Sequence, residues 1–182
     1  MSKDNTPQSA VLGASGEYLV LSHLLRLNFI AGKAPNNTKD YDLIVHNKDG
    51  TSSSPIQVKT TFKKDAWILK KKHEEPIKNL VFFFVYMSKD SDKSEIFVID
   101  SKTVSNFVKT GHRIWLKLPG LKGQKHNDTM MRQLTRDPFK NVVTKTKNYK
   151  EYLIKKEIKF LEEYSSGWID KYKDAWHLIR NK

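Results

Sequence analysis

Apolar and polar residues recur along this chain with two different periods. Over residues 14–29 the apolar side chains have helical spacing, and Ser15 is a suitable N-cap, so we predict a helix with Glu17 in its first turn. Two short runs at 41–46 and 56–61 are rich in valine, isoleucine and threonine, and turn-forming residues separate them. This pattern predicts a β-hairpin.

The remaining segments predict an α/β fold. The apolar run at 80–87 is typical of a strand buried on both faces. Further strands or extended segments are predicted at 29–34, at 67–70 as an addition to the same sheet, at 95–99 and at 112–116. Helices are predicted at 101–108, ending near Gly111, at 127–134 and at 148–164. Short helices are predicted to begin at His73 and to pass through Tyr172, Trp176 and Ile179.

A chain of 182 residues is long enough to bury an ordinary core, and it favours one domain. We predict a flexible N-terminus at 1–12, an α/β domain at 13–147 and helices at 148–182 that pack on the same domain. The sequence contains no cysteine, which excludes disulfides and thiolate metal sites and suits the reducing cytoplasm. No apolar run is long enough for a membrane span, and the N-terminus lacks a signal-peptide core.

The net charge of +13 is concentrated in two blocks. Residues 59–72 hold six lysines against one aspartate, and residues 109–136 hold seven lysines or arginines against one aspartate. Such clustering predicts a surface for a polyanion, although solvated faces of a lysine-rich protein are the alternative. The predicted nucleic-acid contacts are Lys63, Lys64, Lys70, Lys71, Lys72, Lys122, Lys125 and Arg132.

The predicted hairpin carries the strongest candidate chemistry. Because side chains alternate along a strand, Gln57 and Lys59 share one face, and Asp42 on the neighbouring strand can share it too. A carboxylate that binds a hard cation, together with a nearby ammonium, suits phosphodiester hydrolysis. The alternative is purely structural, with an aspartate closing a turn, a glutamine at a sheet edge and a lysine in solvent.

Glu17 on a helix, Asp42 on a strand and Gln57-Val58-Lys59 on the next strand together resemble the PD-(D/E)xK nuclease superfamily, in its Gln-x-Lys variants. The segments 80–87, 97–101, 112–116, 131–132 and 175–178 also look like an uncharacterised bacterial group within that superfamily. The likeness covers most of residues 13–178, apart from 141–164. It implies a restriction-endonuclease-like mixed β-sheet flanked by helices, with a helical C-terminal extension.

The same resemblance implies the roles of the site residues. Asp42 is the expected principal ligand of Mg²⁺, for which Mn²⁺ can substitute, and the Val58 carbonyl and Glu17 are the expected further ligands. Lys59 is the expected catalytic cation. Gln57 stands where the superfamily usually has Asp or Glu, so its neutral amide lowers the expected metal affinity.

We therefore predict a Mg²⁺-dependent DNA endonuclease, a cytoplasmic hydrolase that acts on double-stranded or branched DNA without membrane attachment. A catalytically degenerate protein of the same fold, which binds nucleic acid or a partner protein without cleavage, is the main alternative. A subunit whose specificity lies in another protein is a third reading, and a homodimer is one option for its assembly.

Overall fold

The computed structural model describes residues 8–35, 38–46, 50–63, 66–90 and 93–180. Its α-helices and β-strands follow one another as α1 (Ser9–Arg26), β1 (Ile30–Lys33), β2 (Leu43–His46), β3 (Ser53–Thr61), β4 (Ala66–Lys70), β5 (Val81–Tyr86), β6 (Glu95–Asp100), α2 (Ser101–Lys117), β7 (Met131–Thr135), α3 (Pro138–Lys145), α4 (Lys155–Glu163) and α5 (His177–Arg180). Short 3₁₀ helices lie at Lys71–Glu74, Tyr149–Glu151 and Asp170–Tyr172. Among the described residues, no helix has the length and apolar character needed to cross a membrane.

Contacts divide the chain into two compact units. The sheet unit comprises Met1–Lys64, Ile77–Ser101 and Tyr172–Lys182, and the helical unit comprises Asp65–Pro76 and Lys102–Lys171. The C-terminal helices are shared between them, since α4 belongs to the helical unit and α5 to the sheet unit. The predicted domain limits at 12/13 and 147/148 stay predictions.

The sheet unit is built on a five-stranded mixed sheet of order β1-β2-β3-β5-β6. Only β3 and β5 pair in parallel, and the other neighbours pair antiparallel. Helix α1 packs on β1, β2 and β3. Its Val20 and Leu24 meet Leu43, Ile56 and Val58 in the core. The fold is therefore the predicted α/β class with a mixed sheet and packed helices, and the predicted hairpin is present as β2 and β3.

Strand β5, which lies between β3 and β6, is buried on both faces, as its apolar run predicts. Val81, Phe83 and Val85 face the core beneath α1, and Phe82 and Phe84 stack on each other with ring centroids 5.7 Å apart. Phenylalanine side chains bury a large apolar area, so β5 contributes strongly to the stability of the sheet.

The helical unit contains a second, two-stranded antiparallel sheet of β4 and β7. Four aromatic rings form a cluster in this unit, namely Phe107, Phe160, Tyr164 and Trp168. Phe107 and Trp168 are stacked, with their ring centroids 4.8 Å apart. Tyr164 meets both rings edge-on, at 5.1 Å and 4.8 Å. The carboxylate of Glu157 is almost fully buried and accepts two hydrogen bonds from Lys117 Nζ, at 2.7 and 2.9 Å.

Three predictions about elements in the helical unit are wrong. Residues 112–116 are not extended but continue α2, because Val104, Phe107, Ile114 and Leu118 keep helical spacing and are buried. Gly111 does not end this helix, since a mid-helix glycine costs only about 1 kcal/mol. Residues 131–134 belong to strand β7 rather than a helix.

The third error concerns 67–70, which pairs with β7 in the separate sheet instead of extending the main one. In β7, Arg132 and Leu134 are buried while Met131 and Gln133 are exposed, which is the alternation of a half-buried strand.

Helix α1 begins earlier than the sequence indicates. It starts at Ser9, so residues 9–12 are helical, whereas residues 1–7 of the predicted flexible N-terminus lie outside the described residues. Ser15 is not an N-cap, since its hydroxyl donates to the Val11 carbonyl one turn back, at 2.7 Å. Glu17 consequently lies near the middle of α1, where the first-turn dipole argument does not apply.

Two glycines of α1 provide a matched test of how closely α1 approaches β3. A Cβ at Gly16 would lie 1.9 Å from Thr60 Oγ1, whereas a Cβ at Gly13 would meet nothing within 4 Å. We expect Gly16→Ala to lower the free energy of unfolding by about 1–3 kcal/mol through overpacking. Gly13→Ala should raise it by about 0.5–1 kcal/mol, because alanine is the better helix former. Urea denaturation of both variants measures the difference, and equal effects would contradict the close contact.

Candidate active site

Asp42 is held at the start of the hairpin by its own backbone and by its side chain. Its N–H donates to the Ile56 carbonyl at 2.8 Å, and its carbonyl accepts from the Ala34 N–H at 2.9 Å. Its side-chain Oδ2 accepts from the Val58 backbone N–H at 2.7 Å. Two strand partners and this third bond fix both the position and the orientation of the carboxylate.

Three other charged side chains act on Asp42. Burial raises the pKa of the Asp42 carboxyl above its ordinary value, and the negative charge of Glu17 acts in the same direction. The Val58 N–H and the positive charges of Lys59 and Lys33 oppose this rise in pKa but do not cancel it. The structure therefore brings the predicted Glu17, Asp42 and Lys59 close enough to interact, and it adds Lys33 to the set.

Glu17 projects from α1 towards the edge of the sheet, where it meets Lys33 at the end of β1. Lys33 Nζ donates to Glu17 Oε2 at 2.5 Å and lies 4.8 Å from the centroid of the Tyr18 ring. The hydrogen bond to Glu17 raises the pKa of the Lys33 ammonium. Sequence reasoning missed Lys33, because the pairing of β1 with β2 that brings it here spans a loop and leaves no local pattern.

Gln57 and Lys59 lie on the face of β3 opposite to the core residues Ile56 and Val58. The parallel register sets Gln57 beside Phe82 and Lys59 beside Phe84 of β5. The antiparallel register pairs Leu43 with Ile56, so extending it by one residue sets Asp42 opposite Gln57. The predicted arrangement of a carboxylate facing a Gln-x-Lys is therefore present in the backbone.

The Gln57 side chain is only 6% exposed, and its Oε1 has no hydrogen-bond partner among the residues that the structure describes. A buried amide oxygen without a partner is costly, and such atoms in native proteins call for a specific explanation. Gln57 Oε1, on the residue opposite Asp42, is well placed to accept a hydrogen bond or to bind a cation.

The oxygen atoms around Asp42 suit a hard divalent cation. Mg²⁺ prefers oxygen ligands and commonly takes one or two carboxylates while it keeps several waters. Asp42, Glu17 and Gln57 offer two carboxylates and one amide oxygen. No three His, Cys, Asp or Glu side chains converge within the described part of the chain, so a cage of acidic groups is absent there. The role of the Val58 carbonyl as a ligand stays a prediction, and its N–H is the group that contacts Asp42.

The predicted nucleic-acid contacts differ in their surroundings. Most are exposed, namely Lys63, Lys70, Lys71, Lys72, Lys122 and Lys125. Lys71 forms an ion pair with Asp128 at 2.7 Å. Lys64 lies outside the described residues. Arg132 is only 2% exposed, and its guanidinium forms ion pairs with Glu74 and with Asp128. Its surroundings are therefore those of a buried residue that stabilises the position of β7.

The comparisons with known proteins show a similarity of fold but none of sequence family. No family model and no curated protein match the sequence. Among solved structures, the fold is similar to that of a bacterial homing endonuclease, I-Ssp6803I, with a TM-score of 0.51 and 13% sequence identity over 96% of this chain and 93% of that chain. At this identity the likeness concerns the fold, a mixed α/β architecture, and not the activity.

Proposed function

We propose that this protein is a Mg²⁺-dependent endodeoxyribonuclease of the PD-(D/E)xK type, with Asp42, Glu17, Gln57 and Lys59 as its active site. The observation that carries the proposal is the carboxylate of Asp42, fixed by the Val58 N–H with Glu17 and Lys59 within electrostatic reach. The similarity of the fold to a homing endonuclease supports it independently.

Each side chain has a defined task in phosphodiester hydrolysis. Asp42 and Glu17 would hold the cation, and Gln57 Oε1 would add a neutral oxygen beside them. When bound, Mg²⁺ supplies charge neutralisation at the phosphate and a more acidic water. The Lys59 ammonium is suited to offset the negative charge that develops on the phosphate and to orient the attacking water.

The substitution of an amide for the usual third acid is compatible with this chemistry. The cation needs only one or two carboxylates when substrate phosphates also bind it. A third carboxylate would add repulsion at a site where burial already disfavours the charge of Asp42. Gln57 would thus provide an oxygen ligand without adding a third negative charge to the site.

Exposed lysines of each unit are the proposed contacts to the substrate. Lys63 in the sheet unit, and separately Lys70 and Lys122 in the helical unit, carry positive charge that suits the phosphates of double-stranded or branched DNA. The absence of cysteine fits action in the cytoplasm. A homodimer stays one option for the assembly that grips the substrate.

The first test is cleavage of plasmid and branched DNA with Mg²⁺ or Mn²⁺. We expect Asp42→Ala and Lys59→Ala each to reduce the cleavage rate by about a hundredfold or more. The first removes a ligand of the cation and the second removes the ammonium, and both cations would offset negative charge at the reacting phosphate. Asp90→Ala and Lys93→Ala form the matched control, because these residues pair with each other on an exposed loop at 2.7 Å. Equal cutting by all of these variants would assign the activity to another site or to a contaminant.

The second test uses the stability of Asp42→Asn as a function of pH. The raised pKa of Asp42 means that folding disfavours its charged carboxylate. In the absence of metal and at neutral pH, the Asp42→Asn protein should therefore unfold at a higher temperature than wild type. This advantage should shrink as the pH falls from the folded-state pKa towards the lower unfolded-state pKa, and it should vanish below that value, where the wild-type carboxyl is protonated in both states. Calorimetric melting over a pH series measures both effects.

The same variant tests the metal site. Mg²⁺ or Mn²⁺ should raise the melting temperature of wild type and have less effect on Asp42→Asn, since ligands stabilise the state that binds them. Asp90→Asn should differ from wild type by no more than about 0.5 kcal/mol. An Asp42→Asn protein that is less stable than wild type throughout the pH series would show that the carboxylate serves the fold rather than a site.

The alternative is a protein of this fold that binds nucleic acid or a partner protein without cutting. Gln57 in place of an acid, and the absence of a three-acid cluster in the described ranges, favour it. DNA binding that weakens steeply with salt, together with no metal-dependent cleavage, would establish this alternative.

A further inference from the structure

Lys33 stands beside both carboxylates of the proposed site. It is the last residue of β1, at the edge of the sheet, and it pairs in register with Leu43, the residue after Asp42. Its ammonium contacts Glu17 Oε2 at 2.5 Å, and its charge also acts on Asp42. A cation of the protein's own therefore contacts one of the two carboxylates that are proposed to bind the metal.

A bound metal ion and this ammonium compete for the same carboxylate. The Lys33–Glu17 bond uses one of the two oxygens that Glu17 could offer, and two cations near the same groups repel each other. The Lys33 side chain is 40% exposed and lies on an edge strand, so it can turn into solvent without disturbing the core. The side chain of Glu17 is less exposed, at 22%, and is held by the helix.

We propose that Lys33 is a competing cation built into the site, which holds Glu17 in the metal-free protein and leaves it when a divalent cation binds. This rests on the proposed function, because it concerns the regulation of the same site. The contact lowers the affinity of the free protein for metal and offsets the negative charge of Glu17 until the metal binds.

The sheet unit offers a closely matched control. Lys173 pairs with Glu95 at 2.9 Å, and the two side chains are 47% and 21% exposed, compared with 40% and 22% for Lys33 and Glu17. Glu95 of that pair lies on β6, the opposite edge strand of the five-stranded sheet, and Lys173 forms a β-bridge with Phe97 of the same strand. Lys173→Met therefore removes an equivalent ion pair and the same unit of charge away from the site.

The experiment is titration calorimetry of Mn²⁺ alone into the full chain, in the absence of DNA. We expect Lys33→Met to bind Mn²⁺ roughly two- to fivefold more tightly than wild type, the range that a partly exposed ion pair represents. Lys173→Met should bind as wild type does. Lys33→Gln serves as a second, polar variant, and thermal melting confirms that each protein is folded.

A double-mutant cycle shows whether Lys33 acts through Glu17. In a Glu17→Gln background, Lys33→Met should lose most of its effect on Mn²⁺ affinity and keep only the longer-range effect of its charge on Asp42. If the full gain persists there, Lys33 acts only as a distant charge and the proposal is wrong.

Two further outcomes also decide the matter. If wild type binds Mn²⁺ and the Lys33 variants bind it equally or more weakly, the proposed role of Lys33 is wrong and the proposed nuclease function is unaffected. If neither wild type nor any variant binds Mn²⁺, both proposals are wrong.

Discussion

The candidate site depends on the hydrogen bond from the Val58 N–H to Asp42 Oδ2. This bond exists only because β2 and β3 pair in one register, with Leu43 opposite Ile56. A slip of one residue would send Gln57 and Lys59 to the core face and Ile56 and Val58 to the opposite face. The apolar contacts beneath α1 therefore specify the chemistry as well as the fold, since they set the register that aims the carboxylate.

Holding charged groups in this place has a cost that the surroundings offset only in part. Burial and the charge of Glu17 oppose ionisation of Asp42, and the attraction of Lys59 and Lys33 does not restore its ordinary pKa. The buried Oε1 of Gln57, which no group in the described part of the chain hydrogen-bonds, adds a second unfavourable contribution. Groups held under such conditions are typical of functional sites, where stability is given up for a prepared arrangement of charges.

Local patterns were enough to predict the parts of the site that lie on the hairpin. The alternation in β3, the turn formers before it and the apolar run of β5 led directly to the observed strands. The start of α1 is predicted too late because Ser15, with Glu17 two residues later, has the composition of a helix start. Likewise, Gly111 suggested the end of a helix that burial of Ile114 and Leu118 continues.

What the sequence could not supply were contacts between distant elements. The pairing of Lys33 with Glu17 joins a strand to a helix, and the pairing of Arg132 with Glu74 joins β7 to a 3₁₀ turn. Neither leaves a periodic signal, because each depends on tertiary packing. Arg132 therefore looked like one of several basic surface residues, although its guanidinium is buried.

The placement of Glu17 follows from its neighbour in the chain. Gly16 has no side chain, and this allows α1 to approach β3 so closely that Thr60 fills the space where a Cβ would stand. Thr60 directly follows Lys59, and Glu17 directly follows Gly16, so this one contact sets the distance between the helix carboxylate and the strand that carries the cation. A bulkier residue would push α1 outward and carry Glu17 with it. The glycine thus connects the packing of the core to the geometry of the site, and it explains how a carboxylate in the middle of a helix can serve residues on a hairpin.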